Sequence, residues 1–303
     1  MTPSHLLGID WGSSNRRAYL IDRDGQVLSR HSDDRGMLAV RGNFPQALAE
    51  LLALIQVDVS VPVVMSGMVG SAQGWQEIPY LDTGVALSTL PHQLVRVTGT
   101  SAEQRYLIVP GYCQRDASLG IDVMRGEETQ LFGALAQGRG DGWVVLPGTH
   151  SKWVLLRGGA IERFSTFLTG ELFAALSAGG TLAPLLAAGS DDDGDNAAAF
   201  SAGVAQARLQ VPLTNALFGV RARVVSGAMP AAQAREFVSG LLIGTEFAAA
   251  ASDGGQGSVA LIGSPALAER YRRAAALFDI SIDTLDADAL YIAALIRIFS
   301  EIA

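Results

Sequence analysis

The chain has 303 residues, 49% of them apolar, and a net charge of −8. That length suits two domains with separate cores, and the acidic balance excludes a basic face that would hold nucleic acid or an anionic membrane. One cysteine, Cys113, excludes an internal disulfide and a CxxC metal site; with no secretory signal at the N-terminus and no run near the roughly 20 apolar residues of a membrane span, a cytoplasmic protein is expected.

In chain order, an apolar strand at residues 6–10 runs into the turn Gly12-Ser13-Ser14. A second strand at 18–21 leads to Asp24-Gly25, where the chain reverses into a third at 27–30. Leu48, Leu51, Leu52 and Ile55 recur at helical period and predict an amphipathic helix over 45–55. A buried strand at 61–65 ends in Ser66-Gly67-Met68-Val69-Gly70-Ser71, and a short strand at 107–109 stops at Pro110-Gly111. Val123, Met124, Leu131, Phe132 and Leu135 predict a helix over 122–136, with Gly126-Glu127-Glu128 in its first turns. Residues 143–164 then repeat the opening pattern: strand, the turn Pro147-Gly148-Thr149-His150-Ser151-Lys152, strand, reversal at Gly158-Gly159, strand. Thr169-Gly170-Glu171 opens a helix over 169–176, and Asp191-Asp192-Asp193-Gly194-Asp195 reads as a solvated acidic loop rather than a metal site. The last third predicts a helix at 237–251, a strand at 259–262, a helix at 266–278, a strand at 280–285 and a closing helix at 288–302. The class is α/β with mixed sheets in two lobes, 1–120 and 121–303, the closing helix being free to cross back.

Three glycine turns carry candidate chemistry. Asp10 ends a buried strand immediately before the Gly12-Ser13-Ser14 turn, an arrangement that suits Mg²⁺ held partly through water with phosphate oxygens on the turn amides; an ordinary hairpin with Asp10 capping backbone donors is the alternative. Arg17 can supply a cation to phosphate or merely flank its strand. In the second turn Gly148, Thr149 and Ser151 offer donors and Lys152 a point charge, while His150 reads as a packing residue. Gly263-Ser264-Pro265 places a helix N-terminus after a strand, with Ser264 as N-cap and Pro265 at the first helical position. Neither a GxxxxGK[ST] loop nor a G-x-G-x-x-G after a strand is present.

This order of turns resembles the ATPase superfamily of sugar kinases, actin and heat-shock chaperones. Within it the chain resembles the 2-dehydro-3-deoxygalactonokinase family, through Ile9-Asp10-Trp11-Gly12-Ser13, Val64 to Ser71, Met124 to Leu131, Leu146 to Trp153, Thr169 to Leu172 and Ser239 to Gly244. The resemblance implies a two-lobed actin-like ATPase (ribonuclease H-like) fold, each lobe a mixed sheet flanked by helices, with nucleotide in the cleft. It also implies ATP-dependent phosphorylation of 2-dehydro-3-deoxy-D-galactonate on its terminal hydroxyl, with Mg²⁺, in D-galactonate catabolism. ATP is then expected at Gly12, Ser13, Ser14, Arg17, Gly148, Thr149, Lys152, Gly263 and Ser264. The sugar acid is expected at Ser66, Gly67, Ser71, Arg125, Thr169 and Glu171, Arg125 being either the partner of its carboxylate or a plain surface arginine.

The Gly126-Glu127-Glu128 block also looks like the catalytic segment of exopolyphosphatases. Aligned on Glu-x-x-Leu, it favours Glu128 as the catalytic base and Glu127 second, with Asp122 close by; stabilisation of the helix dipole is the plain alternative. A phosphohydrolase of that type and a kinase of another 2-dehydro-3-deoxy sugar acid are the competing readings. Oligomeric state is open, a homodimer included.

Overall fold

Short apolar runs near the N-terminus and again at mid-chain, each broken by a glycine turn, build two sheets on one plan. The structure, a computed structural model, describes residues 3–101, 103–116, 120–188, 193–252 and 257–302. Strands β1 (His5–Trp11), β2 (Arg16–Asp22) and β3 (Val27–Asp33) form an antiparallel meander. Helices α1 (Met37–Val40) and α2 (Phe44–Leu54) precede β4 (Val63–Gly67), which runs parallel to β1. Short strands β5 (Leu81–Asp82), β6 (Val95–Arg96) and β7 (Tyr106–Ile108) lead to the hairpin β8 (Tyr112–Asp116) and β9 (Gly120–Met124), then to α3 (Glu127–Ala136). The second meander is β10 (Gly142–Leu146), β11 (Ser151–Arg157) and β12 (Ala160–Phe167). Helices α4 (Thr169–Ala178), α5 (Ala183–Leu186), α6 (Asp193–Arg208), α7 (Leu213–Val225) and α8 (Ala234–Ser252) follow. The chain closes with β13 (Ser258–Ile262), α9 (Pro265–Ala276), β14 (Ser281–Leu285) and α10 (Ala287–Ile302).

The first sheet has the order β3-β2-β1-β4-β7-β6 and the second β12-β11-β10-β13-β14. In each, a meander is extended by parallel strands laid beside its first strand. A smaller sheet has the order β5-β8-β9.

Two compact units result. The first holds the chain up to Asp141, Leu155–Phe164 and everything from Asp286; the second holds Gly142–Val154 and Ser165–Leu285. This division runs elsewhere than 120/121. Residues 122–124, read as helical from their apolar spacing, are strand, because β9 pairs antiparallel with β8 and so stays with the first unit. The helix starts only at Glu127, after Gly126 turns the chain at φ +117°. Its Gly133 lies so close to α10 that a Cβ would come 1.9 Å from the Leu290 carbonyl oxygen, which ties the closing helix to this unit too.

The first core gathers Trp11, Phe44, Met65 and Ile108 around the sheet. In the second, Trp153, Phe200, Phe247 and Tyr271 pack between β11 and the helices α6, α8 and α9. Of the acidic loop read at 191–195, Asp191 and Asp192 lie outside the described residues, and α6 already begins at Asp193. Among the described residues no helix is long and apolar enough to cross a membrane.

Candidate active site

In the first unit the Gly12-Ser13-Ser14 turn is held by its carbonyls. The Gly12 amide closes the turn on the Asn15 carbonyl at 2.9 Å. The carbonyls of Gly12, Ser13 and Ser14 accept from the amides of Met37, Leu38 and Gly36 at 2.8, 3.0 and 3.1 Å. Gly36 backs the turn so closely that a Cβ there would lie 2.4 Å from the Ser14 carbonyl carbon. Ser13 and Ser14 are exposed, and their amides bond to no described group. Such amides form an anion-binding concavity.

Asp10 stands at the end of β1 beside this turn. Its Oδ2 accepts from Arg17 Nη2 at 2.6 Å, and Arg17 Nη1 reaches Asp288 Oδ1 at 3.3 Å. The neighbouring Arg16 points the other way, as strand alternation requires; it is 1% exposed, pairs with Asp33 at 2.6 Å and donates to the Ala47 carbonyl. Gly67, at the end of β4, has φ +86°. A Cβ there would lie 2.8 Å from the Trp11 carbonyl oxygen and 3.5 Å from Asp10 Oδ1. Gly126 in turn sits against Gly67, with only 3.3 Å between a Cβ on it and the Gly67 Cα. Three motifs separated along the chain thus meet in one place, and both contacts depend on glycine.

Immediately beyond Gly126 the two glutamates differ sharply. Glu128 is fully buried; its Oε2 accepts from the Gly126 amide at 2.7 Å and its Oε1 from Thr129 Oγ1 at 3.2 Å. Burial, reinforced by the Glu127 charge, pushes its pKa up to about 8. Glu127 is half-buried, and its Oε2 accepts from the Arg125 amide at 3.1 Å. The solvent-accessible carboxylate is therefore the one that sequence ranked second.

The expected sugar-acid residues of this unit are placed less openly. Ser66 is fully buried, its Oγ 3.1 Å from the Tyr291 hydroxyl, and Ser71 donates to the Met68 carbonyl at 2.8 Å. Arg125 stacks over Tyr80 at 4.1 Å and donates to the Ile78 carbonyl at 2.7 Å, while its Nε and Nη1 are buried with no hydrogen-bond partner. Asp122 lies on β9, paired with Gln114 of β8.

The second unit repeats the backing device. Gly148, Thr149 and His150 are exposed, and Gly170 packs behind them with 2.5 Å between a Cβ there and the Gly148 carbonyl oxygen. The Glu171 amide donates to the Thr149 carbonyl at 2.9 Å, as Met37 does to Gly12. Glu171 itself pairs with His150 across exposed surface, and Lys152 is 4% exposed, drawn in along β11. Gly263 lies beside Pro147, a Cβ there being 3.4 Å from its Cδ, and Ser264 caps α9 by accepting from the Leu267 amide. Turns two and three of the sequence are thus neighbours.

Sequence reading missed Gly36, Asp288 and Glu246. Glu246 is completely buried on α8 and accepts from Ser151 Oγ at 2.7 Å, Trp153 Nε1 at 2.8 Å, the Tyr271 hydroxyl at 2.6 Å and Thr169 Oγ1. Burial pushes its pKa up against those four donors. A lone Glu in the apolar run 241–251 was the available signal.

For Mg²⁺, the donor set is one carboxylate. Asp10 Oδ2 is engaged by Arg17, Oδ1 faces Gly67, and no cluster of three or more His, Cys, Asp or Glu gathers among the described residues. That fits a cation held by one carboxylate, waters and substrate phosphates, the usual Mg²⁺ arrangement.

The chain matches the 2-keto-3-deoxy-galactonokinase family over residues 10–298. It is 39% identical over 291 residues to a probable 2-dehydro-3-deoxygalactonokinase of Rhizobium meliloti (strain 1021), covering 95% of this chain and 94% of the relative. To the 2-dehydro-3-deoxygalactonokinase of Escherichia coli (strain K12) it is 37% identical over 272 residues, 89% of each chain. A crystal structure of a Sinorhizobium meliloti protein assigned as 2-dehydro-3-deoxygalactonokinase has a TM-score of 0.86 at 37% identity, covering 96% of this chain and 94% of that one. A ligand-bound xylulose kinase from Lactobacillus acidophilus, 10% identical with a TM-score of 0.50 over 98% of this chain and 89% of its own, shares the fold alone, that of the two-lobed actin-like ATPases. The chain belongs to the 2-keto-3-deoxy-galactonokinase family.

Proposed function

We propose that the protein transfers the γ-phosphoryl group of ATP to the terminal hydroxyl of 2-dehydro-3-deoxy-D-galactonate, giving ADP and the 6-phosphate in D-galactonate catabolism. The observation that carries this reading is the meeting of Asp10, Gly67 and Gly126, with Glu127 one residue beyond, beside a turn whose Ser13 and Ser14 amides bond to no described group. A metal carboxylate, a glycine-lined approach and a candidate base are the parts a phosphoryl transfer to an alcohol needs.

Phosphate contacts are assigned to Ser13, Ser14 and Arg17 in the first unit and to Gly148 and Thr149 in the second, with adenosine at Gly263 and Ser264; of the residues expected from the sequence, Gly12 spends its amide on Asn15 and Lys152 is drawn in along β11, so neither is assigned a phosphate contact. Mg²⁺, when bound, neutralises the charge that develops on the phosphate oxygens. Asp10 would hold it through Oδ1 while Arg17 keeps the carboxylate oriented through Oδ2. The hydroxyl oxygen bonds to the γ-phosphorus as the bond from that phosphorus to the β-bridging oxygen breaks. Glu127 takes the hydroxyl proton; Glu128, sealed behind it, holds the Gly126 amide and so fixes the bend that presents Glu127. Sugar-acid contacts are assigned to Gly67 and Ser71, with Glu171 from the second unit; Thr169, expected there from the sequence, spends its hydroxyl on the buried Glu246 instead. Ser66 and Arg125 support the floor: one is bonded to Tyr291, the other stacked on Tyr80.

A cytoplasmic location belongs to the same proposal and agrees with a free, buried Cys113. Product analysis tests the chemistry: phosphorus-coupled NMR of the product places phosphate on C6 if the assignment is right and on another carbon if it is wrong. Asp10→Asn lowers turnover at saturating Mg²⁺ by about 100-fold or more; turnover close to wild type removes Asp10 from the site.

A further inference from the structure

Glu246 belongs to none of the three glycine turns, yet its two oxygens collect donors from three separate segments. Ser151 Oγ and Trp153 Nε1 converge on Oε2 at 2.7 and 2.8 Å. The Tyr271 hydroxyl, at 2.6 Å, and Thr169 Oγ1 converge on Oε1. Tyr271 Oη also lies 3.1 Å from Ser151 Oγ, which closes the network although each hydroxyl spends its hydrogen on Glu246. Four donors occupy the four acceptor positions of a carboxylate. Ser151 ends the second turn, Thr169 begins the helix whose Gly170 backs that turn, and Tyr271 lies on the helix capped by Ser264.

A buried carboxylate is costly, and an apolar residue would pack this position at less expense. A carboxylate with four bonds instead fixes how β11, α4 and α9 meet, and with them the backbone of Gly148, Thr149 and Gly263. We infer that Glu246 is a positioning residue for nucleotide: it holds the second phosphate turn, its backing helix and the adenosine helix in the arrangement that Mg·ADP and Mg·ATP bind. The inference rests on the nucleotide assignment of those turns and adds the residue that organises them.

Calorimetry with Mg·ADP on the whole protein tests it. Glu246→Gln keeps the shape but leaves one acceptor oxygen for two donor pairs; Thr169→Val removes one leg of the network only. Leu186→Ala, in the α5–α7–α8 cluster of the same unit, serves as a control for general loss of stability. The expected result is folded protein in all three, a Kd for Mg·ADP raised about tenfold in Glu246→Gln and by a smaller factor in Thr169→Val, and KM for ATP rising in step. Leu186→Ala, with a comparable drop in Tm, keeps the wild-type Kd. Wild-type affinity in folded Glu246→Gln and Thr169→Val overturns the inference, as does equal weakening in Leu186→Ala. If wild-type protein itself binds no Mg·ADP, the nucleotide assignment fails and this inference with it.

Discussion

Glu127 and Glu128 are neighbours in sequence and opposites in environment. Their types and their place at a helix start were legible in the sequence; which one faces solvent was not, because that depends on Gly126 and its contact with Gly67 some sixty residues earlier. The assignment makes a graded expectation: Glu127→Gln loses about 100-fold or more in kcat, while Glu128→Gln loses less. The reverse order in steady-state kinetics would return the proton-accepting role to Glu128. Glu128 also predicts a pH dependence of stability. Its carboxyl titrates near 8 when folded, against an ordinary value of 4.5, so the native state holds a proton that the unfolded chain has released. Its contribution is complete below about 4.5, falls by about 1.4 kcal/mol per pH unit between those values, and is gone above 8. Thermal melts from pH 5 to 8.5 should therefore show a decline in wild type that Glu128→Gln largely lacks. Equal slopes would place the carboxyl in a more polar setting than its burial implies.

At the level of elements, the repeated meander was readable from apolar runs and the turn residues between them, and β1 to β3 and β10 to β12 fall where that pattern puts them. The misreading of β9 as helix has a definite cause. Ile121 and Val123 are exposed apolar residues on an edge strand, so the two-residue period that marks a half-buried strand was reversed. Helices α6 and α7 escaped notice for another reason. α6 is rich in alanine and glycine and has no broad apolar stripe; it meets α8 by close backbone approach. A Cβ on Gly203 would lie 2.0 Å from the Phe237 carbonyl oxygen, and one on Gly240 2.0 Å from that of Phe200. Gly240→Ala is accordingly expected to destabilise the protein by about 1–3 kcal/mol despite alanine's better helix propensity. Urea unfolding checks this: an unchanged or raised midpoint would mean that the two helices separate freely.

Across the molecule, the repeat extends beyond the strands to the device that supports each turn. Gly36, ahead of α1, and Gly170, in the first turn of α4, both follow the third strand of a meander and both press against the carbonyl side of a glycine turn. This engages the carbonyl side and leaves the amides of Ser13 and Ser14, and of Gly148 and Thr149, without a partner among the described residues. The sequence displayed the two turns and, in Thr169-Gly170-Glu171, the segment of the second support, but not that Gly170 backs a turn, and Gly36 has no local feature that distinguishes it. The return of the closing helix to the first unit was left open by the sequence, whereas the place of α3 there was hidden, because it depends on the packing of Gly133 against α10. In the proposed reaction, phosphoryl transfer requires a particular class of acceptor. It is tested most directly by measuring ADP release from ATP with purified protein and a panel of 2-dehydro-3-deoxy sugar acids. Release is expected to depend on the acid, to be strongest with 2-dehydro-3-deoxy-D-galactonate, and to match the acid consumed mole for mole; no stimulation by any member of the panel, or equal release without an acid, rules the transfer out.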